Sequence, residues 1–214
     1  MIIAVDGPAA SGKGTLARRL AEHFGLAHLD TGLLYRAVAQ RVLKAGQDPA
    51  DPRAAVAAAK AVSLAELADP ALRSSAVGTA ASHVAAIPAV RAALVALQRR
   101  FAHGPPDGKR GAVLDGRDIG TVICPDALAK LYITAAREVR AKRRHKELRE
   151  SGLDSIYARV LQDLEERDAR DGERADAPLK AAPDAFTLDT TSLDADQAFK
   201  SALDYVLEKC RARR

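Results

Sequence analysis

Short apolar runs alternate with longer helical patterns along the whole chain. Met1–Asp6 (MIIAVD) is a continuous, β-branched run that stops at an aspartate and a glycine, the pattern of a strand buried on both faces. From Gly12 the period changes, and Leu16, Ala17, Leu20 and Phe24 recur at helical spacing. Leu26–Asp30 predicts a second short strand, and Thr31 can cap a helix that runs to about Ala45, where Gly46 ends it and QDPADP forms a loop. Residues 53–68 are Ala-rich and helical in pattern, 69–75 read as a break, and helix resumes over about 76–86. Pro88, at a first helical position, opens another helix to about His103, and GPPDGKRG is a plain loop. Ala112–Asp115 and Ala129–Thr134 predict strands, helices follow over roughly 135–151 and 154–171, and Ala185–Asp189 predicts the last strand. Asp194 and Gln197 have the spacing of a capping box for a final helix. The alternation predicts an α/β fold around a parallel sheet, in a single domain of 214 residues.

Composition narrows this picture. A chain 48% hydrophobic with 4% aromatics and no Trp must build an aliphatic core. The net charge of +5 suits a small polyanionic ligand held by arginines. Acidic residues are mixed in almost everywhere, which argues against nucleic acid as the partner. Cys124 and Cys210 make neither a disulfide framework nor a metal site and are expected to be free thiols. The longest uncharged run, 74–90, is rich in Ser, Thr and Ala, contains Pro88, and is too short and polar to span a membrane. Charge and glycine arrive by Asp6 and Gly7, unlike a secretory signal, so a soluble cytoplasmic protein is expected. The 137–149 stretch is strongly basic, and 150–173 reverses that charge.

Between the first strand and the first helix lies Gly7-Pro8-Ala9-Ala10-Ser11-Gly12-Lys13-Gly14-Thr15, a phosphate-binding loop in its required context. Glycines let the backbone turn its N–H groups inward, the helix N-terminus adds positive partial charge, and Lys13 supplies a full charge for β- and γ-phosphates. A random G-x4-G-K match is expected roughly 0.04 times in a chain of this composition, so chance is a poor account. The position directly after the lysine, usually Ser or Thr, holds Gly14, with Thr15 following as the candidate magnesium ligand.

If the loop serves phosphate transfer, an acceptor site is needed as well. Asp30-Thr31-Gly32-Leu33-Leu34-Tyr35-Arg36 sits where the second strand gives way to a helix, and a helix N-terminus followed by an arginine can hold a second phosphate. Thr31 also reads as a plain helix cap and Arg36 as a solvated helix arginine. Asp115-Gly116-Arg117-Asp118 ends an apolar strand, where ligands gather in parallel sheets. Asp115 is a candidate for orienting magnesium-bound water, or a turn aspartate; Arg117 can reach a phosphate, or pair with Asp115 or Asp118.

Taken in order, GPAASGKGT, DTGLLYR, TAASHVAAIPAVR, DGRDIGTVICPDA and ERDARDGERADAPL resemble the bacterial cytidylate kinases nearly end to end. The GKGT form likewise resembles nucleoside monophosphate kinases rather than GTPases. The resemblance implies a three-layer P-loop fold with a five-stranded parallel sheet, an acceptor-binding excursion over about 31–103 and a lid over about 140–174. It implies transfer of the γ-phosphate of Mg-ATP to CMP or dCMP, with Mg²⁺ held through water by Thr15 and Asp115. Ser82, Arg91 and Asp118 would contact cytosine, and Thr31, Arg36 and Arg117 the acceptor phosphate. Arg167, Asp171 and Arg174 would handle the acceptor's sugar and phosphates. Lys13, Arg117, Arg167 and Arg174 would act on the transferring group. The lid would center on Arg140, Arg143, Arg144 and Ser151-Gly152. Thr31 stands where the family commonly has Ser, and 61–75 is shorter than the family's partly β-stranded insert.

The acceptor oxygen is already ionised near neutral pH, so positioning, magnesium and arginines are expected to do the chemistry without a strong base. No motif gives any of the five histidines a role, and each is expected at the surface or satisfied within a helix. The nearest alternative is a kinase of the same fold for another small acceptor such as adenylate, thymidylate or shikimate. An RNA-binding GTPase is the alternative of another class, and its Asn-Lys-x-Asp motif is missing. No unexplained apolar helix stripe stands out, so a monomer is expected.

Overall fold

The computed structural model describes residues 1–174 and 176–212. Strands β1 (Ile2–Asp6), β2 (Ala27–Asp30), β3 (Ala112–Gly116), β4 (Ala129–Thr134) and β5 (Phe186–Asp189) form one parallel sheet in the order β2-β3-β1-β4-β5. Helices α1 (Lys13–Phe24), α2 (Thr31–Lys44), α3 (Pro52–Ala61), α4 (Ser75–Ala86), α5 (Pro88–His103), α6 (Arg137–Glu150), α7 (Tyr157–Glu173) and α8 (Ala195–Ala212) complete the chain.

The period of two along each strand sorts the core into two halves. Ile3, Val5, Val113, Leu131, Ile133 and Leu188 pack against Leu16, Ala17 and Leu20 of α1 and Ala202 and Val206 of α8. Ala4, Leu29 and Leu114 face the other way, toward α2 to α5. The result is the expected three layers. The register pairs Asp6 with Gly116 and Tyr132, and Asp30 with Asp115, so the ends of four strands open onto one edge of the sheet. No single helix among the described residues is long and apolar enough to cross a membrane. The apolar pair α4 and α5 meets at a 98° bend, and residues of both helices belong to the core.

Two local expectations are corrected, and one stretch with no expected element takes a defined form. The helix expected over 53–68 ends at Ala61, and two 3-10 turns follow, Leu64–Ala68 and Pro70–Arg73. Ser63 and Asp69 divert the chain, because the Glu66 carboxylate accepts from Ser63 N at 2.7 Å and Asp69 Oδ1 from Ala71 N at 2.9 Å. Thr31 is not the cap of α2. Asp30 holds that position, and Thr31 Oγ1 instead donates to the Asp115 carbonyl at 2.8 Å. The apolar run after Asp118 forms a single π-turn, Ile119–Ile123. Asp6 stabilises it by accepting from the N–H groups of Ile119 and Gly120, both at 2.8 Å.

Candidate active site

The phosphate loop leaves β1 and enters α1 through a strained path. A Cβ at Gly7 would run into the Ile133 carbonyl, and Gly12 sits at φ 92°, so both positions require glycine. Ala10 holds a left-handed φ of 59°, a conformation most residues avoid. Neighbouring elements keep the loop in this shape. Thr190 Oγ1, just beyond β5, donates to the Ser11 carbonyl at 2.9 Å. Arg143 reaches both Thr190 Oγ1, at 2.9 Å, and the Thr190 carbonyl, at 2.7 Å. Arg140 is buried, donates to the Ala9 carbonyl at 3.3 Å and pairs with Asp168 at 2.6 Å. Arg140 and Arg143, expected in a lid, therefore tie α6 to the loop.

The loop floors a cavity of about 560 Å³ lined by Ala10 to Leu16, Asp30, Arg73, Asp115, Arg143, Thr190 and Leu193. Lys13 Nζ donates weakly to the Pro8 carbonyl at 3.4 Å. Loss of water and the charge of Arg117 lower its pKa to about 8. The start of α1 has no side-chain cap, and neither has that of α2, so both present unpaired backbone N–H groups. The first turn of α3, by contrast, is capped by Asp51.

A cation has a fitting place in this cavity. Asp115 is buried, and its Oδ2 is paired with His28 Nε2 at 2.7 Å. Oδ1 faces the loop, where a Cβ on Gly14 would come within 3.9 Å of it. Asp30 lies beside Asp115 in register, and burial followed by the charge of Asp115 raises its pKa. Exposed Thr15 lines the same cavity. Carboxylate and hydroxyl oxygens suit a hard divalent ion such as magnesium.

A second cavity, of about 180 Å³, adjoins the first and collects Lys13, Arg36, Arg73, Arg117, Arg144 and Arg167, six cations, against Asp30, Asp115 and Glu147. Such an excess of positive charge in a small space fits a polyanion. Burial, and then the charge of Arg117, push the Arg167 guanidinium down to about 9. Arg36 does not point freely into the space, because its Nη1 donates to the Leu72 carbonyl at 2.7 Å and the Ser74 carbonyl at 3.3 Å.

A third cavity, of about 40 Å³, is lined by Thr31, Tyr35, Ser82, Arg91, Arg117, Asp118, Arg167, Asp171 and Arg174, among others. All the acceptor-side residues expected from sequence meet here except Arg36, which lies in the adjoining cavity. Four of them form two close ion pairs. Arg91 is ion-paired with Asp118, both buried. Arg117 Nε donates to Asp171 Oδ2 at 2.7 Å, so neither sequence pairing considered for Arg117 forms. Burial opposes ionisation of Asp171, but Arg117 and Arg167 outweigh it and hold its pKa below the ordinary value. Ser82 Oγ donates to the Thr79 carbonyl at 2.7 Å. Arg91 Nε, Arg167 Nε and Arg174 Nε and Nη2 are buried and find no hydrogen-bond partner among the described residues. Buried guanidinium N–H groups without partners are rare and point to an absent anion or base.

Sequence reasoning missed Asp6, His28, Asp30, Arg73 and Thr190. His28, expected at the surface or in a helix, lies in β2 against Asp115. Its signal was available: it stands two residues before Asp30, on the same face of a strand.

A family model described as cytidylate kinase matches residues 3–208. The chain belongs to the cytidylate kinase family. Proteins named cytidylate kinase match it nearly end to end. That of Methylocella silvestris is 61% identical over 95% of this chain and 92% of its own length. That of Paramagnetospirillum magneticum is 60% identical over 97% and 98%, and that of Xanthobacter autotrophicus 59% identical over the whole of both chains. Among solved structures, similarity is at the level of fold. An uncharacterized protein from Eubacterium ventriosum superposes with a TM-score of 0.53 at 15% identity, covering 96% of this chain and 98% of its own. A gluconokinase from Sinorhizobium meliloti superposes with a TM-score of 0.50 at 16% identity, covering 98% and 93%. In this member of the cytidylate kinase family the connection over 61–75 is made of 3-10 turns and contains no strand.

Proposed function

We propose that this chain transfers the γ-phosphate of Mg-ATP to CMP or dCMP, acting as a cytoplasmic monomer. The observation that carries the reading is the 40 Å³ cavity, where Asp118, Ser82 and three partly unpaired guanidinium groups meet at the ends of β3 and α2.

ATP lies with its phosphates on Gly7 to Thr15, whose N–H groups and Lys13 hold the β- and γ-phosphates. Thr15 and Asp115 would hold magnesium through water, and the ion would supply charge neutralisation to the phosphates. The acceptor phosphate lies in the cation-rich cavity between Arg36, Arg117 and Arg167. Thr31 contributes there through its place in the uncapped first turn of α2, because its hydroxyl proton is already given to the Asp115 carbonyl. Cytosine stacks beside Tyr35 and is read by Asp118, Arg91 and Ser82. Asp118 binds Arg91 through Oδ2, which leaves Oδ1 to accept from the exocyclic amine. Asp171 accepts from a ribose hydroxyl, and Arg174 holds the sugar-phosphate side.

A cavity of 40 Å³ holds a few waters and no nucleobase. CMP entry therefore needs α4, α5 and α7 to part, a movement within the acceptor-binding excursion (31–103) and the lid (140–174) that leaves the Arg140 and Arg143 contacts with the phosphate loop in place. Their movement exchanges the protein's own ion pairs for contacts with CMP. The test is a panel of nucleoside monophosphates with Mg-ATP, read as ADP release. CMP and dCMP should turn over well above AMP, UMP and dTMP, and preference for any of those three would reject the reading.

A further inference from the structure

Donor and acceptor cavities share Ala10, Lys13, Asp30, Arg73, Asp115 and Glu147. Lys13 and Arg73 are the two cations in that shared set. Lys13 belongs to the phosphate loop, and Arg73 belongs to no motif. It ends the 3-10 turn Pro70–Arg73, is exposed, and makes no hydrogen bond or ion pair among the described residues.

The backbone that carries it is firmly held. Leu72 is fully buried with Ala37 and Val77. Asp69 caps the turn and accepts from Gln40 Nε2 at 3.0 Å. Arg36 Nη1 donates to the carbonyls on either side of Arg73, those of Leu72 and Ser74. Ser74 Oγ in turn caps α4. A free guanidinium thus stands on a turn held to α2 and α4, at the seam of two phosphate-sized spaces.

We propose that Arg73 is a catalytic residue whose guanidinium contacts the phosphoryl group as it passes from ATP to CMP. The inference rests on the kinase reading above. In the transfer, an oxygen of the CMP phosphate forms a bond to the γ-phosphorus while the bond from that phosphorus to the β,γ-bridging oxygen breaks. The electron pair leaves with ADP, and no proton moves when the acceptor is a dianion. Charge in flight is spread over the three equatorial oxygens, which a planar, permanently charged fork of N–H donors matches better than a single ammonium. The location explains the choice of residue: a cation lining only one cavity would stabilise one ground state, whereas one lining both can follow the group between them.

The full-length chain carrying Arg73→Ala, and separately Arg73→Lys, tests this. The expected result for Arg73→Ala is a loss of kcat on the order of 10²-fold, with KM for ATP and for CMP each within a few-fold of wild type. Arg73→Lys should recover little of the loss, and added guanidinium ion at millimolar concentration should restore part of the Arg73→Ala turnover. Affinity for a dinucleotide joining adenosine and cytidine through five phosphates should fall more than affinity for ADP or CMP alone. Wild-type kcat in Arg73→Ala overturns the proposal. So does a loss of kcat accompanied by a lower melting temperature and no rescue by guanidinium, which would make Arg73 a support for the turn. A wild-type chain inactive on CMP would instead take down the kinase reading, and this proposal with it.

Discussion

The two halves of the site are built from different materials. The donor side is backbone: a loop threaded through glycines, an uncapped helix start, and carbonyls tied down by Arg140, Arg143 and Thr190. It floors a cavity of about 560 Å³. The acceptor side is side chain. Arg91 pairs with Asp118 and Arg117 with Asp171, several guanidinium N–H groups stay unpartnered among the described residues, and the cavity around them is about 40 Å³. Backbone donors cannot collapse onto each other, since the helix fixes their direction; long charged side chains can and do. On the proposed reading, a donor site made this way needs little rearrangement for ATP, whereas the acceptor site trades internal ion pairs for CMP. On that reading, this difference also divides selectivity: the open side would read phosphates, which all nucleotides share, and the closed side the base.

The comparison breaks most severely at Lys13. Its replacement by Ala should lower kcat on the order of 10²-fold or more while the melting temperature stays near wild type, because the loop is held by its neighbours and not by this side chain. The free enzyme's Lys13 has a pKa of about 8, and bound phosphates favour its charged form. Binding ATP above pH 8 should therefore take up a proton, measurable by calorimetry in buffers of different ionisation heat. The uptake should vanish in Lys13→Ala. Near-normal turnover in a folded variant would remove Lys13 from the site.

On the acceptor side the sharper probe is Asp118→Asn. Uracil offers a carbonyl where cytosine offers an amine, so the wild-type carboxylate repels it, while an asparagine can turn either end to the base. CMP use should drop by an order of magnitude or more, and UMP use should hold or rise. Asp118 also neutralises buried Arg91, and Asn cannot, so some stability should be lost as well. The ratio of kcat/KM for the two acceptors separates these effects. An unchanged ratio with a lowered melting temperature would leave Asp118 as Arg91's partner alone.

Asp171→Ala should have a smaller and more specific effect. The carboxylate spends Oδ2 on Arg117 and leaves Oδ1 3.9 Å from Arg174 Nη1. Removing it frees Arg117 and deletes a partner for the ribose hydroxyl that dCMP lacks. Both substrates should lose activity, CMP by several-fold more. Equal losses, measured as kcat/KM for CMP and dCMP, would confine Asp171 to holding Arg117.

How much of this was written in the chain follows the same division. The phosphate loop and its strand and helix are contiguous, so pattern alone located them, and β4 was read to the residue. The acceptor residues were located by motif, but their mutual pairing was not legible. Arg117 and Asp171 are 54 residues apart, and His28 and Asp115 are 87. Nothing local in either partner specifies the other, and the pairings considered for Arg117 were with its sequence neighbours. Arg73 was invisible for the opposite reason. It follows Pro70-Ala71-Leu72 in a stretch that reads only as a break, and its position depends on Arg36 reaching across from α2. Thr31 shows how a local rule is overruled: as a helix-starting Thr it suits a cap, but the Asp115 carbonyl, left at the end of β3, takes its proton.

The subtlest effect is expected at Asp6, where the two halves touch. Its backbone leads into the phosphate loop, and its carboxylate holds the N–H groups of Ile119 and Gly120, directly after Arg117 and Asp118. Burial raises its pKa from 3.8 to about 7, against the lowering effect of those two hydrogen bonds. The sign of the consequence is fixed. A carboxyl whose pKa is higher folded than unfolded binds more protons in the folded state between those values. Its contribution to stability is thus complete below about pH 4, falls as the pH rises, and is flat again above about pH 7. Asp6→Asn cannot ionise, so its melting temperature relative to wild type should climb between pH 5 and pH 7 and level off beyond; other titrating groups cancel in the difference. At pH 8, where the wild-type carboxylate is ionised and accepts both N–H groups, the amide can accept only through its oxygen. The strand-to-turn corner should loosen, raising KM for CMP a few-fold with KM for ATP unchanged. A constant difference in melting temperature from pH 5 to pH 8 would mean that Asp6 titrates as an ordinary carboxylate. An equal rise in both KM values would mean that its carboxylate supports the donor loop as much as the acceptor loop.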